Sequence, residues 1–119
     1  MSHTFIGWSD NMYRYQTKPI GVRIPFNPNE VQEMWLTFKQ NDLIINRTKA
    51  DLAAEISGTE DRGDGTYQFN FQFTQEESGD FSASAPIYAQ VRWSESPGHS
   101  DVTNMYSFWL REVLMEGEI

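Results

Sequence analysis

Residues 67–73 read YQFNFQF, a stretch in which four aromatic side chains alternate with three amides. A period of two places the rings on one face of a β-strand and the amides on the other. A strand with one solvent-exposed face is typical of an antiparallel sheet, because strands of a parallel sheet are buried on both faces. The stretch therefore predicts a β-sandwich or barrel, and its residues by themselves indicate no chemistry.

The residues that follow this stretch predict a short helical turn. Thr74 and Glu77 have the spacing of a capping box, in which each side chain accepts a hydrogen bond from the backbone N–H of the other. We expect Phe81 to pack this turn onto the sheet. Residues 50–56 fit either a helical turn or a short strand, and the pattern does not decide between them.

Alternating apolar residues predict five further strands, at residues 20–26, 34–40, 43–48, 87–94 and 102–114. Asn41 and Asp42 predict a tight hairpin, whereas residues 96–101 predict a loop. About seven short strands with turns between them predict an all-β fold, a single immunoglobulin-like antiparallel β-sandwich with one or two short helical turns.

Length and charge restrict the class of protein. The chain has 119 residues, no cysteine and a formal net charge of −8. This size predicts one domain, and the negative charge argues against a nucleic-acid or anionic-membrane partner. No apolar run reaches the roughly 18 residues needed to cross a bilayer, and no signal-peptide pattern is visible. We therefore expect synthesis in the cytoplasm.

The first 18 residues differ from the rest of the chain. They carry large rings among short polar residues with no sustained period, which predicts an N-terminal aromatic arm (1–18) ahead of the β-sandwich domain (19–119). Such rings are expected to dock on this domain or on a partner. The predicted protein-interaction residues of the arm are Phe5, Trp8, Tyr13 and Tyr15. By contrast, Trp35, Trp93 and Trp109 are predicted to be core or sheet-face residues.

The sequence predicts no catalytic, metal or cofactor site, and hence a protein that is not an enzyme. His3 and His99 are the two histidines, and Ser100 and Asp101 beside His99 cannot converge as a triad from neighbouring positions. The acidic, glycine-containing residues 60–65 lack the ligand spacing of a calcium loop. Their Arg-Gly-Asp triplet is interpreted as part of a hairpin turn.

Several separated segments, taken in order, carry a resemblance to a family. They are Ile24-Pro25-Phe26, residues 31–40 (VQEMWLTFKQ), residues 74–78 (TQEES) with Phe81, and residues 89–92 (AQVR). Over residues 20–119 the chain resembles small virion proteins of tailed phages and prophages, which have an immunoglobulin-like sandwich. The arm and the polar residues 59–65 are additions to that family's pattern.

The resemblance implies a structural protein of a phage particle, in its tail or baseplate, and therefore a location in the virion. Its partners would be other virion proteins or copies of itself. The alternative is a carbohydrate-binding module, in which exposed rings stack on a glycan. A third hypothesis, suggested by the charge of −8 alone, is an acidic inhibitor that occupies a nucleic-acid site on a host protein.

Overall fold

The computed structural model describes residues 12–13, 19–82, 84–96, 99–102, 106–108 and 110–111. The elements of this part of the chain are β1 (Met12–Tyr13), β2 (Ile20–Ile24), β3 (Glu33–Gln40), β4 (Leu43–Thr48), α1 (Ala53–Ser57), β5 (Glu60–Asp61), β6 (Tyr67–Phe71), α2 (Gln75–Asp80), β7 (Ile87–Ser96), β8 (His99–Val102), β9 (Tyr106–Phe108) and β10 (Leu110–Arg111).

Most strands belong to two antiparallel sheets. One sheet has the order β2-β6-β5, and in the other β4, β3 and β7 lie side by side. Both β8 and β9 pair with the edge of β7 that faces away from β3, β8 near the end of β7 and β9 near its beginning. The predicted fold class, an all-β antiparallel sandwich with short helical turns, is confirmed.

The core lies between the two sheets because each strand turns its apolar side inwards. Buried and less buried residues alternate along β2 and along most of β3, as the period of two requires. The ring of Phe38 on β3 lies 5.3 Å from that of Phe71 on β6 and 4.7 Å from that of Phe73, measured between centroids. These ring contacts join one sheet to the other, and Phe69, Phe71 and Phe73 are all buried between the sheets.

The capped turn after β6 is present as predicted. The Thr74 hydroxyl accepts a hydrogen bond from the Glu77 N–H at 3.1 Å, and the Glu77 carboxylate accepts one from the Thr74 N–H at 3.0 Å. Phe81 follows the helix, is fully buried and lies 5.3 Å from the Phe73 ring. The ambiguous residues 50–56 contribute to helix α1, whose Ile56 is buried.

The β3–β4 hairpin is confirmed, with Gln40 paired to Leu43 across a two-residue turn. Asn41 has a φ of 53°, in the left-handed region that asparagine tolerates better than most residues. A turn of this kind reverses the chain in two residues and so places β4 directly beside β3.

The prediction of a loop over residues 96–101 was wrong, since His99–Val102 forms strand β8 and pairs with the end of β7. Pairing with β7 supplies main-chain partners that outweigh the turn preference of these polar residues. The single long strand predicted at 102–114 was also wrong. The described residues of that stretch belong to three separate strands, β8, β9 and β10.

Candidate functional site

The candidate site is the solvent side of the β4-β3-β7 sheet, called the outer face below. On β3 the core takes Met34, Leu36 and Phe38, so the residues between them point to the solvent side. The same alternation along β4 and β7 brings polar and ring side chains to that side. The outer face consists of Trp35, Thr37, Lys39, Ile44, Asn46, Tyr88, Gln90 and Arg92.

The strand register arranges the outer face in rows that run across the sheet. Lys39 on β3 lies between Ile44 on β4 and Tyr88 on β7. In the next row Thr37 lies between Asn46 and Gln90, and the Thr37 hydroxyl donates a hydrogen bond to the Asn46 side-chain oxygen at 2.7 Å.

The last row continues across four strands. Trp35 lies between Thr48 and Arg92, and Val102 of β8 is the neighbour of Arg92 on the other side. Directly opposed side chains in antiparallel strands are about 5 Å apart at Cβ, so each row is a set of touching neighbours.

A shallow groove of about 770 Å³ lies on this face. Sites for small ligands have volumes of about 300–1,000 Å³ and combine apolar area with a few polar groups. The described residues that line the groove are Thr37, Lys39, Asn41, Ile44, Asn46, Tyr88, Ala89, Gln90 and Arg92. Its size and mixed lining fit a small polar ligand with some apolar surface.

The exposed large hydrophobic residues of the described chain all lie on this side of the sheet. Ile44 is 57% exposed, and Tyr88 and Val102 are each 42% exposed. Among the other residues whose side-chain burial is described, large apolar side chains are buried or half-buried. This side of the sheet therefore combines exposed apolar side chains with polar and charged ones.

The charge of the groove is opposite to that of the whole protein. Lys39 and Arg92 are cations, and no carboxylate is among the described lining residues. Neither cation forms an ion pair with a described residue; the Arg92 guanidinium instead lies 4.8 Å from the Trp35 ring centroid. Glu33, the nearest carboxylate along β3, accepts hydrogen bonds from backbone N–H groups at its own end of the sheet.

The predicted arm residues are only partly within the described chain. Tyr13 belongs to β1, which pairs in parallel with β10 in the register Met12 to Leu110 and Tyr13 to Arg111. Phe5, Trp8 and Tyr15 lie outside the described residues, as does Trp109. Their roles stay predictions.

Two tryptophans predicted to be core or sheet-face residues are described. Trp93 is 5% exposed and stacks on Phe26 with ring centroids 4.3 Å apart, which makes it a core residue. Trp35 is half-buried on the outer face beneath Arg92. Neither tryptophan ring is fully exposed. The exposed ring on the described part of the outer face is that of Tyr88.

Of the acidic residues 60–65, Glu60 and Asp61 form β5, and the residues after them form the turn of the β5–β6 hairpin, as interpreted from the sequence. Gly63 and Gly65 have φ values of 78° and 88°, which glycine adopts without strain. Asp64 accepts hydrogen bonds from the side chain and the backbone of Thr66, and these bonds lower the pKa of the Asp64 carboxyl. The carboxylate of Asp64 therefore stabilises the turn.

The described residues contain no group of three or more histidine, aspartate or glutamate side chains placed to hold a metal ion. No helix among them is both long and apolar enough to span a bilayer.

The outer face was not identified from the sequence. Its residues alternate correctly along each strand, and this alternation was the available signal. What the sequence left open is that β3 and β7 are neighbours, because roughly 50 residues separate the paired positions along the chain. Without the pairing of β3 with β7, nothing in the sequence places Lys39 beside Tyr88.

Comparison of the chain with protein-family models, with curated proteins and with solved structures found no match.

Proposed function

We propose that this protein is a non-enzymatic structural component of a phage particle, in its tail or baseplate. It assembles with copies of itself or with other virion proteins through its N-terminal arm and its open sheet edges. The family resemblance of residues 20–119 supports the phage setting. The described strands support the mode of assembly.

The observation that carries this proposal is the pairing of β1 with β10. Within the described residues Met12–Tyr13 pairs with Leu110–Arg111, and β1 pairs with no other described strand. A contact made by main-chain groups can be exchanged for the same contact with a second copy. Exchange of the arm would link copies without any new surface.

Open strand edges offer a second means of assembly. Within the described chain β2 pairs on one side only, with β6, and β4 pairs on one side only, with β3. The free N–H and C=O groups of such edges can accept an extended segment from a partner. Main-chain hydrogen bonds would then give affinity, and the ring side chains of the arm would set the register.

Charge also favours contact between copies. Residues 1–25 carry a net charge of +2, from Arg14, Lys18 and Arg23 against Asp10, although the whole chain carries −8. A basic segment of one copy and the acidic body of the next therefore attract each other. This attraction speeds association and fixes orientation more than it adds affinity.

The test is the solution mass of the full chain by light scattering across a concentration series. We expect an oligomer, and we expect Met12→Pro to shift it towards monomer because proline removes the main-chain N–H of β1. Met12→Ala is the matched control, since it keeps that N–H. A version that begins at Pro19 should stay folded by circular dichroism and be monomeric.

Two results would contradict the assembly of copies through the arm. One is a full chain that stays monomeric at every concentration. The other is an oligomer that survives both Met12→Pro and removal of residues 1–18, because the contact would then lie outside the arm.

A second function, that of a carbohydrate-binding module, is favoured by one specific observation. The exposed ring of Tyr88 lies on the outer face in a groove whose other residues include the amides Asn41, Asn46 and Gln90. A ring that packs on the apolar side of a sugar, with amides near its hydroxyls, is a reasonable arrangement for glycan binding. Titration with a neutral oligosaccharide panel, followed by tryptophan and tyrosine fluorescence, tests this function.

A further inference from the structure

The groove on the outer face lies over strands whose main-chain groups are already paired. β3 lies between β4 and β7, with continuous pairing on both sides, so its N–H and C=O groups are used within the sheet. An extended peptide gains affinity at a sheet edge, where main-chain groups are free. A ligand of this groove must instead bind through the side chains that line it.

Those side chains suit an anion better than a neutral ligand. Tyr88 and Arg92 are four residues apart on β7, and Lys39 lies beside Tyr88, so the two cations are about 13 Å apart along the strand direction. The charged residues among the described lining of the groove are the cations Lys39 and Arg92, although the whole chain carries a net charge of −8.

The remaining lining favours a sugar over a protein partner. The cores of protein interfaces are depleted in lysine, yet Lys39 occupies the middle of its row, between Ile44 and Tyr88. The groove volume of about 770 Å³ lies within the range of small-ligand sites.

We propose that the groove binds a uronic-acid oligosaccharide. Lys39 and Arg92 would each pair with a carboxylate of a different sugar, and the Tyr88 ring, which lies beside Lys39, would pack on the apolar side of the sugar bound there. The side chains of Asn46 and Gln90 lie in the row between the two cations, where sugar hydroxyls would fall. This inference rests on the second function proposed above and is independent of assembly through the arm.

The test is isothermal titration of the full chain with trigalacturonate and with its trimethyl ester, which has the same sugars without the charge. We expect binding of the acid, weakening with added salt, and binding of the ester at least about tenfold weaker. Lys39→Ala and Arg92→Ala should each weaken binding of the acid by about tenfold, since each removes one charged contact. Tyr88→Ala should weaken it by about fivefold.

Arg62→Ala is the matched control for the charge variants. Arg62 is an exposed cation in the turn after β5, which belongs to the other sheet, and its removal changes the net charge by the same amount. We expect this variant to bind trigalacturonate as the unaltered chain does. Thermal melts of all variants check that the sandwich is folded.

Each contrary result has a distinct meaning. Equal binding of acid and ester overturns the uronic-acid proposal and leaves a neutral-sugar module standing, whereas no binding of either at millimolar concentration removes both. If Arg62→Ala and Lys39→Ala lose equal affinity for trigalacturonate, the assignment of the groove as its binding site is overturned. A triglutamate peptide that binds as tightly as trigalacturonate also overturns it, in favour of an acidic polypeptide. None of these outcomes bears on the solution mass that tests arm exchange.

Discussion

The side chain of Gln40 forms a reciprocal hydrogen-bonded pair with the backbone of Ser82. Gln40 Nε2 donates to the Ser82 carbonyl at 2.7 Å, and Gln40 Oε1 accepts from the Ser82 N–H at 2.7 Å. The same Nε2 donates to the Ala85 carbonyl at 2.8 Å. Gln40 is only 4% exposed, so the amide at the end of β3 holds the segment that connects α2 to β7.

Replacing Gln40 with alanine should lower the free energy of unfolding by about 2–4 kcal/mol, because three backbone groups of the half-buried residues Ser82 and Ala85 lose their hydrogen bonds. Urea denaturation followed by circular dichroism measures the change. Gln72→Ala is the matched control: Gln72 is exposed just after β6, and the change should be within about 0.5 kcal/mol. A Gln40→Ala variant as stable as this control would show that the pair contributes nothing.

Glu77 should make stability depend on pH. Burial raises the pKa of its carboxyl, but hydrogen bonds from the Thr74 N–H and from Arg47 outweigh burial and leave the pKa below its ordinary value of 4.5. A lowered pKa means that the stabilisation is present above about pH 4.5 and is lost as the pH falls through the folded-state pKa. Arg47 also lies 5.8 Å from the Phe71 ring centroid, which holds it beside the cap.

The variant Glu77→Gln should therefore be about 1 kcal/mol less stable than the unaltered chain at pH 7, with the difference shrinking below pH 4.5. Urea denaturation at pH 7, 5 and 3 measures this. Glu76→Gln, an exposed neighbour in the same helical turn, should show a small difference at every pH. A Glu77→Gln difference that stays constant from pH 7 to pH 3 would contradict the role of the charge.

Asn41 holds the β3–β4 turn in a left-handed conformation, with a φ of 53°. Valine is strained there, so Asn41→Val should lower the free energy of unfolding by about 1–2 kcal/mol. Asn41→Gly should leave it within about 0.5 kcal/mol, because glycine adopts this φ without a steric cost. Thermal and urea melts of the two variants compare them directly, and equal stabilities would argue against strain at this position.

Trp35 and Arg92 should be energetically coupled, since the guanidinium lies 4.8 Å from the ring centroid. A double-mutant cycle on the free energy of unfolding, with Trp35→Leu and Arg92→Ala, should give a coupling free energy of about 0.5–1 kcal/mol. The control cycle pairs Trp35→Leu with Lys39→Ala, two positions on the same strand face without a ring–cation contact, and should give a coupling near zero. Equal couplings in the two cycles would mean that the contact with the ring adds nothing specific.

Local features of the fold were predictable because they depend on residues close together in the sequence. The alternation in residues 67–73 decided which side chains face the core, and Phe69, Phe71 and Phe73 are indeed buried. The Thr74–Glu77 cap and the Asn41 turn each require residues no more than three positions apart. Propensity alone left residues 50–56 undecided, and packing of Ile56 into the core accompanies the helical outcome.

The sequence by itself determined the period of two, and with it the sandwich class and the inward and outward side of each main strand. Only the tertiary structure decided which strands are neighbours, and so joined Lys39 to Tyr88 and Trp35 to Arg92 on one face. It also gave Gln40 its partner 42 residues away. Alternation specifies the face on which a side chain lies, but the neighbour across the sheet depends on long-range pairing that no local pattern encodes.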